Sequence, residues 1–201
     1  MHWIPEAARF SRQLPKKAIY AKFNMNTAAK DKFDAEISRI NIIAELSPAT
    51  TNLAAGETVN TFFVLQVLLK KKVFDEKTIA QISKLIDQNM LLVLEYEGEQ
   101  KLAVYHTKLI QSPWLPSDTH NLRLDGLDLD AVWENLIIQI GGIHLEENHT
   151  LDEQIAVDEQ KAKIQKEIDR LTRLAQKEKQ PKKKFELVQQ INKLRQNLEA
   201  Y

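Results

Sequence analysis

The hydrophobic residues follow a helical spacing over the first forty positions. Pro15 suits the first turn of a helix, because the N–H that proline lacks would be unpaired there. Ile19 and Phe23 then lie one turn apart and belong to the face that packs inward. Asn26 supplies a side-chain oxygen that can cap a second helix, in which apolar positions recur every three to four residues up to residue 40. The pattern predicts two short helices in this region.

From residue 40 onward the spacing becomes that of β-strands. INIIAEL (40–46) is a short strand, and residues 62–69 are apolar except for Gln66, which predicts a strand covered on both faces. Residues 90–111 read as two strands joined by a hairpin turn at Glu97–Gln100. The chain therefore changes from helices to a sheet at about residue 40.

Two amphipathic helices are interspersed with these strands. The first follows Asp75, a natural capping residue, and the second covers residues 129–142, where Asp130 is the expected cap and two glycines end the helix. Between them lies a polar, proline-containing connection with one short strand predicted at Leu122–Leu124. This order of elements predicts an α+β domain over residues 1–150, with helices covering a largely antiparallel sheet.

Residues 151–201 carry a heptad-like pattern instead. Pro181 interrupts the pattern inside KEKQPKKK (177–184), so two helices folded back as an antiparallel, coiled-coil-like hairpin are favoured, with the lysines at its tip. The alternative is one kinked helix that pairs with a second copy as a homodimer. Because each apolar stripe is too narrow to be stable alone, it needs a partner helix. The predicted interaction seam comprises Ile164, Ile168, Leu171, Leu187, Ile191, Leu194 and Leu198, with Val157, Ala175 and Tyr201 extending it.

The composition of the chain limits the classes of protein to which it can belong. The chain has 201 residues, 43% of them hydrophobic and 28% charged, with no cysteine. Disulfides and thiolate chemistry are therefore excluded, and no run reaches the roughly 18 apolar residues of a membrane span. The first residues lack the basic and then apolar order of a signal peptide. These features predict a protein of the cytoplasm that has no membrane partner.

The net charge of zero hides a segregation of charge. Residues 1–40 carry eight Lys/Arg against four Asp/Glu, residues 41–150 carry eight against fifteen, and residues 151–201 carry twelve against nine. Blocks of opposite sign can bind each other or a charged partner. A protein that coats DNA is usually basic overall, so the acidic middle argues against that single role.

The sequence contains no recognisable catalytic motif. None of the five glycines has the spacing of a phosphate-binding loop, and no GxSxG elbow occurs. His144 and His149 are spaced i, i+5, which fits a solvated turn better than a metal site. A nuclease using Glu45 and Lys70 would need an acid two residues before the lysine, where this chain has Leu68. We therefore predict no catalytic residue, no metal site and no cofactor.

The basic clusters are the candidates for contact with nucleic acid. Candidate residues are Lys16 and Lys17 at the start of the first helix, Lys70, Lys71 and Lys72 after the main strand, and Lys182, Lys183 and Lys184 at the hairpin tip. Each cluster also has a structural explanation, because lysines at the ends of helices and strands keep them soluble and block edge pairing. Contact with nucleic acid therefore remains an alternative at this point.

Four segments together resemble an uncharacterised bacterial family, domain of unknown function 4391. They are WIPEAARFSRQLPKKAIYAKF (3–23), LSPATTNLAAGE (46–57), FFVLQVLLKKK (62–72) and KEKQPKKKFELVQQINKL (177–194). The resemblance implies genes adjacent to helicases and DNA methyltransferases of restriction or phage-defence type. It also implies that some relatives carry a glutamate at the position of Gln66. It supplies no catalytic motif for this chain.

Two functions are consistent with these observations. The first is a non-enzymatic accessory subunit, which docks on a larger partner such as a helicase or methyltransferase subunit through its α+β domain and its C-terminal helices. The alternative is a nucleic-acid-binding subunit with a degenerate or weak nuclease-like site. The narrow heptad seam motivates the first function, and the lysine clusters motivate the second.

Overall fold

A computed structural model describes residues 1–199, which divide into two compact units, Met1–Ile143 and a second one that starts at His144. The helices are α1 (Lys16–Lys22), α2 (Thr27–Glu36), α3 (Pro48–Thr51), α4 (Glu76–Ile82), α5 (Leu129–Gly141), α6 (Leu151–Lys177) and α7 (Pro181–Glu199). The strands are β1 (Arg9–Gln13), β2 (Ile37–Leu46), β3 (Phe62–Leu69), β4 (Asn89–Tyr96), β5 (Glu99–Tyr105), β6 (Leu109–Gln111) and β7 (Leu115–Pro116). Within this part of the chain, no helix combines the length and apolar character needed to cross a membrane.

The first unit is built on one open sheet in the order β1-β2-β3-β4-β5-β6, with β7 paired to β5. Only β3 and β4 pair in parallel among these strands, and α4 lies between them in the chain, as a parallel connection requires. The other pairs are antiparallel. The predicted α+β class with a largely antiparallel sheet is therefore confirmed.

Both faces of β3 are buried, as its apolar run predicted. Leu65 and Val67 face the core that α1, α2 and α4 contribute to, where Phe33 and Ile79 are also buried. Phe62, on the alternate face, packs against Trp133 of α5 with ring centroids 5.1 Å apart. Helices on both sides therefore enclose the centre of the sheet.

The structure corrects four local predictions. Helix α2 ends at Glu36, so Ile37 and Ile40 belong to strand β2 and not to the predicted second helix. Residues Arg9–Gln13 form the edge strand β1, although all five are exposed and give no alternating pattern. The strand predicted at Leu122–Leu124 does not form. Asp128, rather than Asp130, caps α5 by accepting a 2.9 Å hydrogen bond from the Ala131 N–H. Because α5 begins at Leu129, Asp130 lies in its first turn, and its side chain contacts a loop earlier in the chain.

Asp130 fixes the loop that precedes β3. Its carboxylate accepts hydrogen bonds from the N–H groups of Glu57, Thr58 and Val59 and from the Thr58 hydroxyl, at 2.7 to 3.3 Å. The Thr58 hydroxyl is the main cause that lowers the pKa of Asp130, and the three backbone donors lower it further. The ionised carboxylate thus ties α5 to a loop about seventy residues earlier in the sequence.

We expect Asp130→Ala to lower the melting temperature by several degrees, because four donors lose their acceptor. Since folding lowers the pKa of Asp130, its stabilising effect is present above the unfolded pKa and disappears as pH falls through the folded pKa. The difference between the native protein and the variant should therefore shrink in acid. Thermal melts from neutral to acidic pH measure this. Glu134→Ala, at an exposed position on the same helix, is the control and should leave the melting temperature unchanged.

The second unit is a helical hairpin formed within one chain. Thr150 and Glu153 form a capping box at the start of α6, and Pro181 occupies the first position of α7. The short connection between the helices makes them antiparallel. Ile168, Leu171 and Ile191 are buried between them, and the other predicted seam residues Ile164, Leu187, Leu194 and Leu198 pack against this cluster. The predicted hairpin is confirmed, and Tyr201 lies outside the described residues.

Candidate nucleic-acid interface

A stripe of five cations runs along the side of α6 that is turned away from the seam. The residues are Lys163, Lys166, Arg170, Arg173 and Lys177, at successive spacings of three, four, three and four, and all five are exposed. This spacing keeps side chains on one side of a helix. At a rise of 1.5 Å per residue the stripe is about 21 Å long, and its charges are roughly 5 Å apart.

Most of this positive charge is not neutralised by the protein. Arg170 pairs with Glu167 through two hydrogen bonds of 2.7 Å, which lower the pKa of Glu167 and raise that of Arg170. Among residues 1–199, no carboxylate forms an ion pair with Lys163, Lys166, Arg173 or Lys177. Four of the five cations are therefore free to bind an external anion.

The stripe continues across the tip of the hairpin onto α7. Lys177 and Lys183 line the same groove between the two helices, together with Leu174 and Leu187 and with the acids Glu178 and Glu186. We call the five cations of α6 together with Lys183 the basic face. It is a continuous surface supplied by both helices.

Charge is distributed unevenly along the second unit. Residues 144–160 contain six Asp/Glu and no Lys/Arg, whereas residues 161–199 contain twelve Lys/Arg and five Asp/Glu. A polyanion is therefore attracted to the part of the hairpin that carries the tip and repelled from the part where α6 begins.

Lys182, Lys183 and Lys184 add to this field at the first turn of α7, where all three side chains are exposed. The helix dipole makes the start of a helix partly positive, so cations there are unfavourable. An anion bound at the tip would relieve this repulsion.

In the first unit, the ammonium group of Lys16 is bound by other residues of the same unit. Its ammonium donates to Asp34 Oδ1 and to the Ile37 carbonyl, each at 2.6 Å, while the Tyr20 hydroxyl donates to the same carboxylate oxygen. Burial, and then the hydrogen bond to Asp34, raise the pKa of Tyr20 to about 12. The bond from Lys16 is the main cause that lowers the pKa of Asp34. Lys16 therefore serves the packing of α1 against α2, whereas its neighbour Lys17 is exposed.

Two of the three lysines that follow β3 form ion pairs within the first unit. Lys71 lies 3.3 Å from the buried carboxylate of Glu36, and Lys72 pairs with Glu99. Lys70 is exposed and has no ion pair within the described part of the chain. The three lysines therefore do not form one free basic cluster, as the tip lysines do.

We expect Tyr20 to ionise with a pKa of about 12, and Tyr20→Phe to reduce the absorbance change of this late step. The hydrogen bond with Glu97 also raises the pKa of Tyr96, so part of the late absorbance change should remain in the variant. Because folding raises this pKa from 10.0, the stabilisation is complete below pH 10 and is lost as pH rises towards 12. Absorbance titration of tyrosinate tests this in the native and variant proteins. Tyr105→Phe is the control, in which the late step should persist. A late step of equal size in the native protein and in Tyr20→Phe would contradict the assignment.

The nuclease-like arrangement of Glu45 and Lys70 is not assembled. Glu45 pairs in register with Phe63 near the start of β3, whereas Lys70 follows the end of that strand. Seven residues of strand separate these positions, which places them roughly 23 Å apart. Both residues come at the end of neighbouring strands, but because β2 and β3 are antiparallel, the end of one strand lies beside the start of the other.

Gln66 takes part in a polar row across the sheet. Its carbonyl oxygen accepts from Asn41 of β2 at 3.1 Å, and its amide nitrogen donates to Glu95 of β4 at 2.8 Å. Glu95 is the one carboxylate in this row of three side chains. Within residues 1–199, no three His, Asp or Glu residues are grouped closely enough to hold a metal ion. The geometry of this row explains Gln66 as a bridge between strands.

The free cations of α6 were missed because only the apolar positions of the heptad pattern were followed. The same spacing of three and four also relates the lysines and arginines from 163 to 177. A search for charges at helical spacing would have found them, once the seam had fixed which side of the helix faces inward.

Comparison with known proteins gives one informative match. A family model described as "Domain of unknown function (DUF4391)" matches residues 3–198, which includes both units. No curated protein and no solved structure matches the chain. The family description carries no activity, substrate or partner.

Proposed function

The chain belongs to the family described as a domain of unknown function (DUF4391), and on that premise we propose that it is a non-catalytic nucleic-acid-binding subunit. Its helical hairpin would hold the phosphate backbone. The observation that carries this proposal is the basic face, in which four cations of α6 and Lys183 are exposed and have no ion pair among the described residues.

The dimensions of the basic face match a phosphate backbone. Charges roughly 5 Å apart on a helix about 21 Å long can follow one strand of nucleic acid, whose phosphates are separated by several ångströms. Lysine and arginine side chains are long and flexible, so they can adapt to the remaining difference in spacing. A small or singly charged ligand would use only a fraction of this surface.

The sequence analysis predicted association with another protein because each narrow apolar stripe needs a partner helix. In the hairpin, α6 and α7 are partners of each other. Ile168, Leu171 and Ile191 are buried against residues of the same hairpin, so a homodimer built on the seam would have to open it first. We therefore assign any docking on a larger protein to the first unit. An accessory role beside a helicase or methyltransferase subunit, in a restriction or phage-defence system of the cytoplasm, is the setting we propose for such a subunit.

Titration of a labelled 20-base-pair duplex at 50 and 200 mM salt tests the proposal. Five phosphate contacts give a slope of about −4.5 for log affinity against log salt, so binding should weaken about 500-fold between these concentrations. Fluorescence anisotropy with the full-length protein measures both affinities. No binding of duplex or single strand at 50 mM salt, or an affinity that is independent of salt, would overturn the proposal.

A further inference from the structure

The tip of the hairpin exposes apolar side chains in a basic setting. Phe185 is 61% exposed, and Leu174 and Val188 are 44% and 40% exposed. Phe185 is the one aromatic residue between positions 161 and 199, and Lys182, Lys183 and Lys184 immediately precede it. A large aromatic side chain in water costs free energy unless a partner covers it.

Phe185 cannot be covered by its own hairpin. It precedes the seam residue Leu187 by two positions, which is a rotation of about 200° around the helix. The ring is therefore turned away from α6, on the same side as Lys182, one turn earlier. Its large exposed fraction agrees with this placement.

From this arrangement we infer that Phe185 stacks on an unpaired base of a nucleic acid whose backbone continues from the basic face around the lysines at the tip of the hairpin. This inference rests on the proposed function and names the class of ligand: single strands, or duplexes with unpaired bases. An aromatic ring next to basic side chains, as Phe185 is next to Lys182, is the combination by which proteins bind single strands, because every base has a flat face that can stack. In an intact duplex the bases are stacked on one another and are not accessible to the ring.

The extent of the apolar patch favours a base over other partners. The side of α7 that carries Phe185 and Val188 continues with Gln189, Asn192 and Gln196, so the patch is about one turn long. A helix that lies in a membrane surface needs an apolar face along much of its length. The lysines around Phe185 complement a polyanion. A single flat base fits both the size of the patch and its charge.

The test compares a single-stranded oligonucleotide of twenty thymidines with a duplex of equal length, using the full-length protein and Phe185→Ala. We expect the native protein to bind the single strand more tightly than the duplex. Phe185→Ala should lose about 5- to 100-fold in affinity for the single strand. The variant should lose less than about 2-fold for the duplex, whose phosphate contacts remain.

Two further variants make the test specific. Phe185→Trp should retain the affinity for the single strand, and its fluorescence should change on binding if the indole stacks on a base. Phe10→Ala, which removes a 39% exposed phenylalanine from the first unit, should leave both affinities unchanged. Circular dichroism should show both alanine variants folded.

Several outcomes would overturn the inference. Salt-dependent binding to both oligonucleotides that Phe185→Ala leaves unchanged would reject stacking, while the proposed function would stand. Absence of binding to either oligonucleotide would reject both. Vesicles containing phosphatidylserine serve as a competing ligand: if the native protein binds them and Phe185→Ala does not, while oligonucleotide affinities are equal in the two proteins, the ring contacts lipid instead.

Discussion

Replacing Lys163, Lys166, Arg173 and Lys177 together by glutamine should weaken binding to duplex DNA at 50 mM salt by at least about 100-fold. Each contact with a phosphate releases a counterion, and the release contributes most at low salt. With four of the five free cations of the basic face removed, the slope of log affinity against log salt should fall from about −4.5 to about −0.9. Anisotropy titrations at four salt concentrations measure both quantities.

A matched variant separates the position of the charges from their number. Replacing Lys22, Arg39, Lys77 and Arg123 by glutamine removes four exposed cations of the first unit and leaves the basic face intact. We expect this control to keep the slope of the native protein and to change the affinity by less than about 3-fold, since salt screens charges that do not contact the DNA. Equal losses in the two variants would show that net charge alone attracts DNA.

Leu171→Ala should destabilise the hairpin by about 2 to 5 kcal/mol, because a buried leucine leaves a cavity when it is truncated. Leu171 is 5% exposed and belongs to the cluster that joins α6 to α7. The loss is large relative to the stability of a two-helix unit, so the seam should open at physiological temperature. Hydrogen exchange at the amides of α7 should then accelerate, while the amides of β3 remain protected.

Leu174→Ala is the matched control, three residues along the same helix. Its side chain is 44% exposed, so its removal should change the stability by less than about 1 kcal/mol. If both variants exchange like the native protein, then the seam does not hold the two helices together. If Leu171→Ala alone also loses affinity for DNA, then the basic face needs both helices in place.

The fold could be predicted largely from periodicity, because the longest elements bury the most apolar surface. The spacing of the apolar residues indicates burial in two segments, the run from Phe62 to Leu69 and the seam from Ile164 to Leu198. Strand β1 could not be found in this way, since its five residues are all exposed and only its pairing with β2 makes it a strand.

The candidate site could be predicted only in part. Lys182, Lys183 and Lys184 are recognisable as a run, but the free state of Lys163 and Arg173 depends on which carboxylates the fold places beside them. Lys16 is not free for the same reason, because the fold places the carboxylate of Asp34, from the next helix, beside it. Pairing of charges between elements is a property of the tertiary structure, and no local pattern encodes it.

The link from Asp130 to the loop at Glu57, Thr58 and Val59 has a consequence for the order of folding. The two ends of this link are 71 to 73 residues apart, so the loop amides gain their acceptor only after α5 has docked on the sheet. Closing so long a segment is slow compared with forming a hairpin. In a pulse-labelling experiment during refolding, these three amides should become protected from hydrogen exchange late. Their protection would then report the moment at which the first unit has completed its folding.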